Sequence, residues 1–163
     1  MIVKNGALIF SNKMLGTSSI DAGKLVKIDG NVTTVSINAS TNIVRSNIFE
    51  VGSANRGIVM NLGSGTTPPT IDDYWLDEPL TDDDYICSFP AQDNYYQVTP
   101  SEDGQIIYTC AFTALRDMTV NEICISANNA TNAGKVMIAR KVVPTRHVSQ
   151  GEIITFSFAI NCN

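Results

Sequence analysis

Histidine and tryptophan each occur once in this 163-residue chain, as His147 and Trp75. A Ser–His–Asp or Cys–His relay would have to run through His147. That residue lies between Arg146 and Val148 in a stretch that reads as a loop, and the chain has no G-x-S-x-G elbow. His147 is read as a surface or loop-packing histidine. Charge is sparse as well: 17% of residues are charged, with 11 Lys and Arg against 16 Asp and Glu and a formal net charge of -5. Without a basic tract the chain has no positive surface to neutralise phosphates, so nucleic acid is not an expected partner. No run reaches the ~18 apolar residues of a membrane-spanning helix, and no membrane partner is expected. The N-terminus lacks a long apolar h-region, so no signal peptide is read there, and the Asn-x-Ser/Thr triplets at Asn31, Asn38 and Asn129 carry little weight. The four cysteines, Cys87, Cys110, Cys124 and Cys162, form no C-x-x-C pair. They read as thiols, with a disulfide between neighbouring strands left open because sequence cannot show the pairing.

What is present is a hydrophobic fraction of 44%, with Ser, Thr and Asn at the polar positions. One domain of this length can bury roughly 70% of its unfolded surface without a disulfide or metal. The run Ala7 to Leu15 reads either as a short helix or as an extended arm that packs on a neighbouring subunit. From Leu25 the pattern is β. Asp29-Gly30 is a hairpin signal. "NIVRSNIFEV" and "GIVMNLG" alternate, the latter with Ile58, Met60 and Leu62 on one face. In the last third, Ile106, Tyr108, Cys110 and Phe112 share a face, as do Ile123 and Ile125 opposite Glu122 and Cys124. "KVMIARKVV" alternates, "PTRHVSQGE" crosses over, and Ile154, Phe156, Phe158 and Ile160 point inward from the final strand. Half-buried strands at this spacing, without a long helix or strand–helix alternation, predict an all-β fold. The expected architecture is an antiparallel β-sandwich or jelly roll with long loops and at most short helical turns. Residues 1–42 are expected to hold an N-terminal arm, the first strands and an attachment segment, and 43–163 the sandwich body.

The stretch "GSGTTPPTIDDYWLDEPL", Gly63 to Leu80, opens like a phosphate-binding loop. It lacks the lysine of such a loop, and Pro68-Pro69 denies it backbone donors, so nucleotide is not an expected ligand. Thr70 is expected to cap one helical turn through Asp72, Asp73 and Tyr74, with Trp75 and Leu76 pinning an Ω-like loop to the domain. The acids Asp72, Asp73, Asp77, Glu78, Asp82, Asp83 and Asp84 lack EF-hand spacing and read as a solvated loop, so no metal or other cofactor is expected. No catalytic residue is assigned. A carbohydrate hydrolase would need paired carboxylates spread over several strands, and here the acids cluster in one loop.

The segment resembles one in small virion proteins of tailed bacteriophages, where a "GTG-T-x-P-x-x-D-x-x-L" run follows a strand of the "IVMNLGSGTT" kind. The likeness continues through Met118 to Ala127, Val136 to Pro144 and Ser149 to Ile160, and covers roughly residues 57 to 160. It implies an antiparallel β-sandwich located in the virion: an auxiliary capsid (head decoration) protein, or a head- or tail-fibre module. The implied partners are other copies of the chain, with a trimer expected, and virion proteins such as the major capsid protein. The four cysteines and the Asp82–Asp84 run depart from that pattern. Tyr74, Trp75 and Leu76 are the expected packing or contact anchors. Tyr85, Tyr95 and Tyr96 are the surface expected of a receptor- or glycan-binding module.

Overall fold

The computed structural model describes residues 1–8, 25–33, 56–88, 97–100, 105–129 and 135–161. They form an all-β, sandwich-like fold of two antiparallel sheets, with a small hairpin beside them. The hairpin joins β1 (Leu25–Val26) to β2 (Val32–Thr33). Its turn is the expected Asp29-Gly30 pair, with Gly30 at φ 80 and the Asn31 N–H donating to Asp29 Oδ1 at 2.9 Å.

The first sheet has β7 (Met118–Asn129) at its centre, flanked by β3 (Arg56–Gly63) and β8 (Val136–Val148). The second is built on β6 (Gln105–Ala114). Along one edge of β6 runs β9 (Ile153–Asn161); the other edge is shared by β4 (Tyr85–Ser88) and β5 (Gln97–Pro100). Alternation decides which side chains meet between the sheets. Tyr108, Cys110, Phe112 and Ala114 of β6 are buried, and so are Ile154, Phe158 and Ile160 of β9. Thr109 and Ser157 stand opposite each other on the outer face, with hydroxyls 2.9 Å apart. Met60, Leu62, Val120, Ile123 and Ile125 of the first sheet close the same core. Each such side chain stabilises the fold by about 1.5–3 kcal/mol.

Two features of this fold differ from the sequence reading. On β7, Asn121 to Ser126 are all buried, so both faces of the strand are covered. The alternation also changes phase, because Met118 and Val120 point to the core and so do Ile123 and Ile125. A register irregularity between Val120 and Glu122 absorbs the extra residue. The second concerns "PTRHV", which does not cross over but continues β8 to Val148. Pro144 is tolerated there because it falls where the β7–β8 ladder skips from Arg146 to Val142. His147 is therefore a strand residue and not a loop residue. The crossing between sheets is the tight turn Ser149–Glu152, with Gly151 at φ 82.

At the N-terminus, residues 1–3 lie along β8. The Val3 N–H donates to Ile138 O at 3.1 Å and the Arg140 N–H to Met1 O at 3.0 Å. Residues 4–8 then make a helical turn, earlier in the chain than expected, and residues 9–15 of the expected helix lie outside the described set. Asn5 holds Val26 by both of its backbone groups, at 2.6 and 2.9 Å. This part of the N-terminal segment packs on its own domain.

Candidate functional site

The chain leaves the first sheet at Gly63 and enters the second at Tyr85, so the stretch singled out by sequence is a crossover between sheets. It lies over the outer face of the first sheet, which is why β7 is buried on both sides. The end of the loop pairs with β3, where the Ser64 N–H donates to Glu78 O at 2.8 Å and the Leu80 N–H to Leu62 O at 3.0 Å, and N–H groups elsewhere in the loop need other acceptors. One buried side chain supplies three. Glu122, fully buried on β7, accepts from the N–H of Gly65 at 3.3 Å, Asp77 at 3.2 Å and Glu78 at 2.9 Å. Its second oxygen also accepts from Arg140 Nε at 2.6 Å.

Arg140, on the neighbouring strand β8, distributes the remainder of its guanidinium over the same loop. Nη1 meets Asp73 Oδ2 at 2.6 Å and Nη2 donates to Thr67 O at 3.1 Å. Burial disfavours the charged guanidinium, but Asp73 and Glu122 outweigh it and raise the Arg140 pKa further. Burial likewise pushes the Asp73 carboxyl up, and the Thr70 hydroxyl, the Thr70 N–H and Arg140 together pull it below its ordinary value. Thr70 does not start a helix. It closes a single turn, in which the Asp73 N–H donates to Thr70 O at 3.3 Å and the Asp73 carboxylate accepts back from Thr70.

The glycines have a reason that sequence alone could not supply. A Cβ on Gly63 would sit 2.5 Å from Glu122 Oε1 and 2.8 Å from Glu78 O. On Gly65 it would sit 2.6 Å from both Asp77 Cβ and Glu122 Oε1. Neither glycine has positive φ, so close approach to the carboxylate, and not a sharp exit from the strand, is what requires them.

The far end is pinned as expected. Leu76 is buried with Val3, Cys124 and Met137, and half-buried Trp75 packs against that cluster. Lys135 Nζ lies 5.5 Å from the centroid of the Trp75 ring, within cation–π range. Lys135 also donates to Asn61 Oδ1, and Asn61 to Ser126 Oγ, so the polar face of the sheet is cross-linked under the loop. Burial pushes the Cys124 thiol there up to about 12. Tyr74 and Ile71 remain outside, 45% and 51% exposed.

The acids do not form one solvated set. Asp72, Asp77, Glu78, Asp82 and Asp83 are exposed, whereas Asp84 is buried. It accepts from the Thr81 N–H and pairs with Arg116. Among the described residues, no three His, Cys, Asp or Glu side chains are grouped so as to hold a metal ion. Tyr85, read as exposed, is a core residue. It is 8% exposed, its ring packs edge-on to Phe112 at 5.2 Å, and its hydroxyl accepts from the Leu62 N–H. Tyr95 and Tyr96 lie outside the described residues. His147 is exposed, with Nδ1 3.0 Å from the Thr119 hydroxyl, and borders a shallow groove of about 300 Å³ with Asp117 and Ser149. Asp117 is engaged by the Gln150 N–H at 2.8 Å.

Comparison of the chain with protein-family models, with curated proteins and with solved structures finds no match. Fold and site geometry thus define an all-β domain whose distinctive element is an ion-pair-anchored crossover loop.

Proposed function

We propose that the chain is a structural protein of a tailed-phage virion, an auxiliary capsid protein that packs on the capsid lattice through the crest of the Gly63–Leu80 loop. The observation that carries this reading is the contrast within the loop. Its backbone is fastened from below by Glu122 and Arg140, while Ile71 and Tyr74 stand exposed on top. A pre-ordered loop avoids most of the ordering cost of association, about 0.5–1.5 kcal/mol for each immobilised side chain. Apolar and aromatic side chains on such a frame suit a fixed contact repeated many times, with the major capsid protein as the expected partner. The resemblance of the Gly63–Leu80 stretch to phage virion proteins supplies the biological setting.

The first test is antibody labelling of purified virus particles, read by electron microscopy. Regular label over the head supports capsid decoration. Label confined to tail or fibres favours a receptor-binding module instead, and absence of label from every particle refutes a virion role. The second test is co-sedimentation of an Ile71→Ser, Tyr74→Ser variant with particles lacking the protein. Binding is expected to fall at least about tenfold with folding intact, since surface substitutions shift stability by only about 0.5 kcal/mol.

A further inference from the structure

Cys87 and Cys110 come from adjacent strands of the second sheet, β4 and β6. Cys87 is in register with Phe112, so Cys110 is its diagonal neighbour on the same, inward face. The two sulfurs meet at 2.7 Å as thiol donor and acceptor. Cys87 is half-buried on the edge strand, and Cys110 is 3% exposed beneath it. Of the other cysteines, Cys124 lies on the outer face of the opposite sheet, with Leu76 and Met137. The described cysteines therefore offer one pair and one isolated thiol.

We infer that Cys87 and Cys110 form an intrachain disulfide when the protein meets a small-molecule disulfide oxidant, staple β4 to β6, and so brace the edge of the second sheet. The chemistry is thiol–disulfide exchange with glutathione disulfide. Cys87, the more accessible sulfur, attacks one sulfur of the oxidant. A mixed disulfide forms and one glutathione leaves, taking the proton Cys87 gave up. Cys110 then loses its proton and attacks Cys87 Sγ, expelling the second glutathione, which takes that proton. Two protein thiols become one disulfide, and one glutathione disulfide becomes two glutathione thiols. In the dithiol the contact with Cys87, followed by burial, raises the Cys110 pKa; burial persists once Cys87 is capped, so closure of the mixed disulfide accelerates with rising pH. The cysteines are 23 positions apart, and closing a loop of that size restricts the unfolded chain.

The test is peptide mapping after incubating the full chain in a glutathione disulfide-rich buffer, with acid quenching and maleimide alkylation. The expected product is a Cys87–Cys110 linked peptide, a protein lighter by two hydrogens, and a melting midpoint raised by roughly 6–12 °C. Alkylation of both residues, a persistent glutathione adduct on Cys87, or linkage of either to Cys124 or Cys162 would overturn the inference. Cys87→Ser is expected to abolish the oxidant-dependent rise in midpoint, and Cys110→Ala serves if that variant does not fold. A rise that persists in either variant also overturns it.

Discussion

Replacing Glu122 by Gln probes the anchor of the crossover loop with almost no change in volume. The carboxylate has two filled oxygens: Oε1 accepts from Gly65 and Glu78, and Oε2 accepts from Asp77 and Arg140. A glutamine keeps one acceptor oxygen and puts an NH2 where the other was. Whichever way the amide turns, two buried donors face a donor. Each buried donor left unpaired costs about 1–3 kcal/mol. Arg140, only 3% exposed at its side chain, also loses one of its two counter-charges. Removing one partner of a buried pair costs about 3–5 kcal/mol, and the two routes to the figure agree. For a domain of this length that is a midpoint drop of roughly 6–20 °C. The measurement is urea denaturation followed by fluorescence of Trp75, the sole tryptophan, which sits in the loop itself. Glu122→Gln is expected to shift the transition and also to change native-state emission, because the loop loosens before the core does. A loss below about 1 kcal/mol with unchanged emission would refute the view that Glu122 holds the loop.

Asp84 tests the second acid contact. Burial raises its pKa, but the Thr81 N–H, Arg116 and the Thr81 hydroxyl outweigh burial and hold it below the ordinary 3.8. A depressed folded-state pKa contributes stability that is present above 3.8 and is lost as pH falls through the lower, folded-state value, so Asp84→Asn is expected to flatten the acid limb of a stability–pH curve below about pH 4. Gly65→Ala is expected to cost about 1–3 kcal/mol through crowding against Asp77 and Glu122, measured by denaturant titration. Gly151→Ala, with nothing within 4 Å, is expected to cost about 1 kcal/mol through its positive φ alone. Tyr85→Phe leaves the buried Leu62 N–H without its hydroxyl acceptor and is expected to cost about 1 kcal/mol in the same titration.

The second sheet was legible in the sequence because each of its long strands has one wet face. Tyr108, Cys110 and Phe112 alternate with Thr109, Ala111 and Thr113, and that period survives into the structure. The first sheet was less legible because its outer face is also covered. Glu122 and Cys124 were placed on the correct side of β7, but a polar residue opposite an apolar one reads as a solvent face when the covering segment is distant in sequence. The covering segment begins 57 positions before Glu122, at Gly65. Two signals pointed to it: the phase change between Val120 and Ile123, and a crossover too long to hang in solvent without a surface to lie on. Tyr85 was misplaced for a related reason. It follows a run of acids, yet it opens β4, where the strand turns its first side chain into the core.

A charged pair beneath the loop is not explained by stability alone, since apolar pairs of equal volume often do as well in a buried site. The loop explains it. Pro68 and Pro69 bring no donors, and although the end of the loop pairs with β3 at Gly63 and Pro79, the N–H groups of Gly65, Asp77 and Glu78 turn to Glu122 instead. A carboxylate can accept all three N–H groups and a guanidinium at once, which no neutral side chain can. The pair is therefore tied to loop shape more than to the core. A Glu122→Met, Arg140→Leu double variant removes the two most deeply buried charges together and leaves Asp73, 18% exposed at its side chain, held by Thr70. It is expected to fold with both sheets intact by circular dichroism, and to lose more protection from amide exchange at Gly65, Asp77 and Glu78 than at Tyr108 or Phe112. Equal protection at the loop amides in the variant and the parent would show that Trp75, Leu76 and the backbone bonds of Ser64 with Glu78, Leu80 with Leu62 and Lys4 with Ile71 hold the loop, and that Glu122 and Arg140 only fill the space beneath it.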